Sequence, residues 1–161
     1  MTPPTATLTQ PVSRKPARFY EDYCIDHSRF SQPYGRTCIL TADDEPLVLF
    51  TQRAILEIAG YEVVIASDGG EAIERFTKHH VDLAILDFRM PKLDGGSVAR
   101  ELKRLRPYLP VILLSGGQVD EESKASADCF LAKGQSPTLL FREIERLLAC
   151  SKIPVRAAPV L

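Results

Sequence analysis

DLAILDFRMPKLDG, residues Asp82 to Gly95, is the stretch that decides how this chain folds. Its apolar run Leu83-Ala84-Ile85-Leu86 is bounded by polar residues, the pattern of a central strand covered on both faces. Met90-Pro91 then ends any ladder hydrogen bonding, so Asp87 stands at the strand's carboxyl end, where the backbone turns. In open α/β sheets ligands bind at that edge. An ionisable group placed there is a candidate for chemistry, although a strand-end aspartate also serves as a helix cap.

Upstream, Cys38-Ile39-Leu40-Thr41-Ala42 is another short apolar strand, closed by Asp43-Asp44-Glu45-Pro46. Pro46 suits a first helical turn, and Leu47, Val48, Ile55, Leu56 and Ile58 predict one inward stripe running to a C-cap at Gly60. Glu62 to Ala66 reads as a strand, and Asp68-Gly69-Gly70 as a turn into a helix over 71–78 with Ala72, Ile73 and Phe76 inward. Downstream, Gly95 to Arg106 predicts a helix with Val98 and Leu102 packed and Arg100, Lys103 and Arg104 in solvent. Val111 to Leu114 is a strand ending in Ser115-Gly116-Gly117. Cys129 to Ala132 is a fifth strand ending in Lys133. A final amphipathic helix, Pro137 to Ala149, turns Leu139, Leu140, Ile144, Leu147 and Leu148 inward.

Five strand–helix units in succession imply an α/β fold with a right-handed, doubly wound parallel sheet. The connection from Ser115 to Lys133 holds only 17 residues, and within Gln118 to Asp128 the apolar ones are Val119, Ala125 and Ala127. That is too little to bury a stripe, so the fourth helix is expected to be short or missing.

Composition narrows the class. The chain has 161 residues, 45% hydrophobic and 25% charged, which suits one domain with a real core. Three parts are expected: a flexible Pro-rich arm over 1–36, a folded domain over 37–150 and a tail over 151–161. The arm holds five of the twelve prolines and no sustained apolar period. Its Phe19, Tyr20, Tyr23, Ile25 and Phe30 are the exceptions, with the makings of a short docking helix. Residues 37–150 carry 13 Lys/Arg against 18 Asp/Glu, a net −5, whereas residues 1–36 carry 5 against 3, a net +2. An acidic domain argues against a nucleic-acid footprint. Cys24, Cys38, Cys129 and Cys150 lie far apart and read as reduced thiols. No stretch approaches a membrane span and the start lacks a signal peptide's apolar core, so a soluble, cytoplasmic protein is expected.

Taken together, the strand ends place Asp43-Asp44, Asp87, Ser115 and Lys133 along one edge of the sheet. Three carboxylates in one cleft repel one another unless a cation compensates, and an all-oxygen site with open positions suits Mg²⁺. A metal beside a lysine favours a phosphoryl group.

At these residues the sequence resembles the receiver domain of two-component response regulators, over residues 37 to about 150. The motifs are ILTADDEP, LDFRMPKLDG, LLSGG and FLAKG, in that family's order. The resemblance implies a flavodoxin-like sheet of order 2-1-3-4-5. It also implies a phosphoacceptor signalling protein rather than an enzyme, with intrinsic autophosphorylation from small donors and autodephosphorylation. Asp87 would accept the phosphoryl group of a histidine kinase or histidine phosphotransferase. Mg²⁺ would be bound by Asp44 directly, Asp43 largely through water, Asp87, and the Arg89 backbone carbonyl. Lys133 would pair with the phosphoryl oxygens, Ser115 would close onto another of them, and Phe130 occupies the aromatic switch position. The expected downstream target is a protein whose identity the sequence does not give, with neither nucleic acid nor membrane expected as partner.

One departure from the family is Gly134, where proline commonly follows the lysine. A cis bond before glycine costs about 2.5–4 kcal/mol, so a trans peptide with a glycine bend is expected. The leading expectation is a stand-alone receiver signalling by contact. The alternative is a degenerate receiver acting as a constitutive scaffold. A haloacid-dehalogenase-type phosphohydrolase wants a second acid two residues after its nucleophile, and Arg89 stands there.

Overall fold

Apolar runs too short for helices pair as parallel strands, and the chain between them returns as helices packed on the sheet. The computed structural model describes residues 36–151; apart from their inner ends, the expected arm and tail lie outside the described residues. The elements in order are β1 (Cys38–Ala42), α1 (Pro46–Ile58), β2 (Glu62–Ala66), α2 (Gly69–Lys78), β3 (Leu83–Asp87), α3 (Gly95–Leu105), β4 (Val111–Ser115), α4 (Glu121–Ala125), β5 (Cys129–Ala132) and α5 (Pro137–Ser151). All strands are parallel, in the order β2-β1-β3-β4-β5. The doubly wound sheet and its order are those expected.

Alternation along the strands builds two cores. Leu40, Ala84, Leu86, Val111 and Leu113 pack with Phe76, Val98, Ala99 and Leu102 of α2 and α3. Ile39, Leu83, Ile85, Ile112 and Leu114 pack with Leu56 of α1 and Phe141, Ile144, Leu147 and Leu148 of α5. β3 is buried along its whole length, as its unbroken apolar run predicts.

Four local readings need correction. In α1 the buried residues are Leu49, Gln52 and Leu56, whereas Leu47 and Ile58 face outward. The reason is polar: the Thr41 hydroxyl on β1 donates to the Gln52 side chain, which seats a residue that an apolar template skips. Gly69 and Gly70 belong to α2 rather than to a turn, because Asp68 is the N-cap and accepts from the Glu71 amide. Lys103 is not a solvated lysine, since its ammonium lies 2.7 Å from Asp128, which also accepts from the Val111 amide. Phe141, passed over in the sequence, is buried in α5. The Cys38 thiol is buried, and burial together with the nearby Glu62 and Asp82 pushes it up to about 11.

The fourth helix is short, at five residues. Asp120 caps it by accepting from the Ser123 amide, and Ser123 and Ser126 are buried although neither is apolar. Ser123 lies against Gly96 at the start of α3, where an added Cβ would come within 2.7 Å of its hydroxyl. Small polar side chains thus let α4 sit close to α3 without an apolar stripe. Little apolar area holds it, so the amides of Ser123 to Ala127 are expected to exchange with solvent well before those of α3. Equal protection in a hydrogen-exchange experiment would overturn that.

Candidate functional site

The register carries four strand ends to one edge. Ala42 pairs with Leu86, Asp87 with Leu114, and Ser115 with Ala132, so Asp43, Asp87, Ser115 and Lys133 become neighbours just beyond the ladder. The Lys133 amide donates to the Ser115 carbonyl at 2.8 Å, which fixes the lysine's backbone against β4. The Lys133–Gly134 peptide is trans, and Gly134 has φ +84°, a bend that glycine adopts without strain.

Asp43 is fully buried and Asp87 is 4% exposed, whereas Asp44 is exposed. One carboxylate oxygen from each of the three lies within 4.8 Å of the others. Lys133 bridges the buried pair, with its ammonium 2.7 Å from Asp43 and 3.0 Å from Asp87. The other Asp43 oxygen accepts from the Glu45 amide at 3.0 Å, which locks the first turn after β1. Burial lifts the Asp87 carboxyl above its ordinary range and the Asp43 charge adds to that. Lys133 and the Arg89 amide pull it down only in part. Burial alone would lower the Lys133 ammonium, but its hydrogen bonds to both aspartates outweigh this and hold it high.

Ser115 is buried, and its hydroxyl both donates to the Gly117 carbonyl and accepts from the Gly117 amide, each at 3.1 Å. The hydroxyl is thus held by its own loop. Phe130 on β5 is half-buried against the α2/α3 core, and the Lys124 ammonium of α4 lies 5.7 Å from its ring centroid. The sequence residues Asp43, Asp44, Asp87, Ser115 and Lys133 therefore converge, and Phe130 stands beside the connection that carries α4.

Several residues around the cleft were missed. Lys92 adopts φ +69°, uncommon for a side chain with a Cβ, and its ammonium lies 2.6 Å from Asp68. Gly69 allows that approach, since a Cβ there would come within 2.5 Å of the Leu93 carbonyl oxygen. The loops after β2 and β3 are thereby fastened together beside Asp87. The Arg89 side chain lies against Gly117, where a Cβ would be 2.5 Å from its guanidinium. The only sequence signal for these contacts is the glycines, which mark close approaches without naming their partners.

Three hard carboxylates around a buried edge fit a small divalent cation with oxygen ligands. Residues 39–145 match the response regulator receiver domain family. The chain is 37% identical over 119 residues to a gliding motility regulatory protein of Myxococcus xanthus, covering 70% of this chain and 15% of that one. It is 32% identical over 125 residues to the alkaline phosphatase synthesis transcriptional regulatory protein PhoP of Bacillus subtilis, covering 75% and 51%. It thus spans about half the length, or less, of these curated relatives. Among solved structures, a response regulator receiver domain protein from Clostridium thermocellum aligns with TM-score 0.67 and 33% identity, over 72% of this chain and 97% of that one. A response regulator protein from Thermotoga maritima in complex with Mg²⁺ and BeF aligns with TM-score 0.66 and 31% identity, over 69% and 98%. Fold, motif order and these matches agree, and the chain belongs to the response regulator receiver domain family of two-component signal transduction.

Proposed function

We propose that Asp87 is the phosphoacceptor, taking the phosphoryl group from the phosphohistidine of a histidine kinase or phosphotransferase. The observation that carries this is the buried Asp87 carboxylate held 3.0 Å from the Lys133 ammonium, with Asp43 and Asp44 within reach of the same point. An Asp87 carboxylate oxygen forms a bond to phosphorus as the phosphorus–nitrogen bond to the donor imidazole breaks, and that imidazole leaves with the electron pair. Lys133, already aimed at Asp87, offsets charge on the phosphoryl oxygens and stays paired with the acyl phosphate. Asp43, Asp44, Asp87 and the Arg89 backbone carbonyl would hold Mg²⁺. When bound, the ion supplies positive charge that neutralises the acidic cluster and the phosphoryl oxygens.

Output follows from Ser115. Its hydroxyl reaches a phosphoryl oxygen only by leaving Gly117, so the covalent state draws the loop inward through a new charge-assisted hydrogen bond. Phe130 and the short α4 share that connection, and Lys124 over the Phe130 ring ties them together. Signalling through reordering of this segment, rather than through a long packed fourth helix, is the proposed route. The target is a protein contacted by this domain, in keeping with the net −5 of residues 37–150. Some relatives are named transcriptional regulators, and this chain covers about half of each; the output contact we propose is one made by the receiver domain itself. Among the described residues no helix is long and apolar enough to cross a membrane, and a cytoplasmic place beside the kinase is proposed.

Acetyl phosphate with Mg²⁺ tests the acceptor: a Phos-tag shift mapped to Asp87 is expected, and no shift would favour the scaffold alternative. The metal roles separate by titration calorimetry. Asp44→Ala is expected to weaken Mg²⁺ binding about tenfold or more by deleting a carboxylate, whereas Ser115→Ala leaves it unchanged. Equal affinities in the two variants would remove Asp44 from the ligand set.

A further inference from the structure

We propose that Lys92 and Asp68 are positioning residues for the phosphoacceptor edge: their ion pair holds the β3–α3 loop in a strained turn, and that turn sets the Arg89 backbone carbonyl. The part played toward Mg²⁺ rests on the phosphoacceptor reading; the held turn does not.

Lys92 is the one non-glycine residue with a positive φ, +69°, among the described residues. The Leu93 amide donates to the Pro91 carbonyl at 2.9 Å and closes a three-residue turn about it. So tight a turn about a positive φ is the rare, strained kind, and such conformations persist only where the surroundings over-determine them. Those surroundings come from α2. Asp68 commits one carboxylate oxygen to the Glu71 amide at 2.8 Å, as the helix cap, and the other to the Lys92 ammonium at 2.6 Å. The Asp68 side chain is 15% exposed and fixed by its own helix, so Lys92, 70% exposed, is the partner that is held. Gly69 brings α2 close enough for this, since a Cβ there would lie 2.7 Å from the Leu93 Cβ. Unlike the pairs at i,i+3 and i,i+4 along the helices, this one joins two loops.

Pro91 makes the turn felt at Arg89. Its ring fixes its own φ and confines Met90 to extended backbone, so neither residue between Arg89 and Lys92 is free to absorb a change. Met90 is also buried. On the other side, the Phe88 amide is bonded to the Leu114 carbonyl at 2.7 Å, which keeps the end of β3 in place. Release of the turn at Lys92 therefore moves Met90 and Pro91 together and shifts the Arg89 carbonyl relative to Asp87. An exposed ion pair adds little to the stability of a whole domain, but this one has only to outweigh the relaxation of a single turn.

The test uses the full chain with Lys92→Met, Asp68→Asn, both together, and Lys92→Gly. Asparagine keeps the α2 cap, and glycine adopts a positive φ without any tie. In metal-free protein the Arg89 carbonyl and Met90 amide NMR signals are expected to move in Lys92→Met and Asp68→Asn and to stay near wild type in Lys92→Gly. Titration calorimetry is expected to show Mg²⁺ affinity lowered about threefold in each of the first two variants and no further in the double variant, with urea midpoints near wild type. Labelling by acetyl phosphate should then need more Mg²⁺ in Lys92→Met but reach the wild-type maximum. Unmoved Arg89 and Met90 signals in Lys92→Met would overturn the proposal, as would losses that add in the double variant. A Lys92→Gly chain as weak in Mg²⁺ as Lys92→Met would overturn it too, because the charge rather than the turn would then be what acts. Absence of labelling in the wild-type chain would instead strike the phosphoacceptor reading, and the metal-free NMR comparison would still decide whether the pair holds the turn.

Discussion

Asp87→Asn is expected to abolish labelling by acetyl phosphate in Mg²⁺ while leaving the protein folded and, at neutral pH, at least as stable. The amide is close in shape but carries no anionic oxygen, so no acyl phosphate forms. Stability follows from the direction of the Asp87 shift, which burial raises first and the Asp43 charge raises further. A carboxyl whose folded value lies above its unfolded one favours the fold fully while protonated, below the unfolded value. It loses that contribution as pH rises through the folded value. At pH 7 the ionised group therefore works against folding, and asparagine removes that cost while Lys133 keeps Asp43 as its partner at 2.7 Å. Metal-free denaturant midpoints should thus be equal or higher for the variant at pH 7, with its advantage shrinking toward acid. Labelling at the wild-type rate would place the acceptor elsewhere. A clearly lower midpoint at pH 7 would mean that the Lys133 pair outweighs burial.

Much of this arrangement is written in local patterns. β3 and β4 are unbroken apolar runs, and a polar residue directly after each run can only be a strand end, so Asp87 and Ser115 are placed by sequence alone. The two acids before Pro46 and the lysine after Cys129 to Ala132 follow the same rule. What escaped was whatever depends on contacts between elements. Gln52 is a core residue because Thr41 waits on the sheet for a partner, and no periodicity of apolar residues contains that information. The outward Leu47 and Ile58 were read inward for the same reason: α1 carries two apolar stripes, and composition does not say which one meets the sheet. α4 was legible in length but not in anchoring, since Ser123 is held through the space left by Gly96. Lys92 with Asp68, and Arg89 with Gly117, join loops that only the folded chain brings together.

The largest loss of stability from a single methyl group is expected at Gly95, where Gly95→Ala should remove about 3 kcal/mol or more. Asp94 caps α3 by accepting from the Ser97 amide at 2.8 Å, and the Gly95 amide donates to the Phe88 carbonyl at 2.9 Å. These bonds press the first residue of α3 against the end of β3. A Cβ on Gly95 would lie 2.2 Å from the Asp87 carbonyl oxygen and 2.8 Å from a Leu113 methyl. The carbonyl belongs to the sheet and cannot rotate away, so relief requires α3 to lift or the end of β3 to shift. Either movement opens packing around Val98 and Leu102, which are fully buried. Against a typical total of about 5–15 kcal/mol, such a loss is a large share. Gly116 is the control, because a Cβ there meets nothing within 4 Å, and Gly116→Ala should change stability by no more than about 0.5 kcal/mol. Urea midpoints of the two variants settle the matter: a Gly95→Ala chain as stable as wild type would show that α3 does not pin the Asp87 backbone. If the variant folds in the cold, a weakened yield of acyl phosphate beside normal labelling of Gly116→Ala would show that the same contact aims the carboxylate, since shifting the Asp87 carbonyl also moves its side chain relative to Lys133.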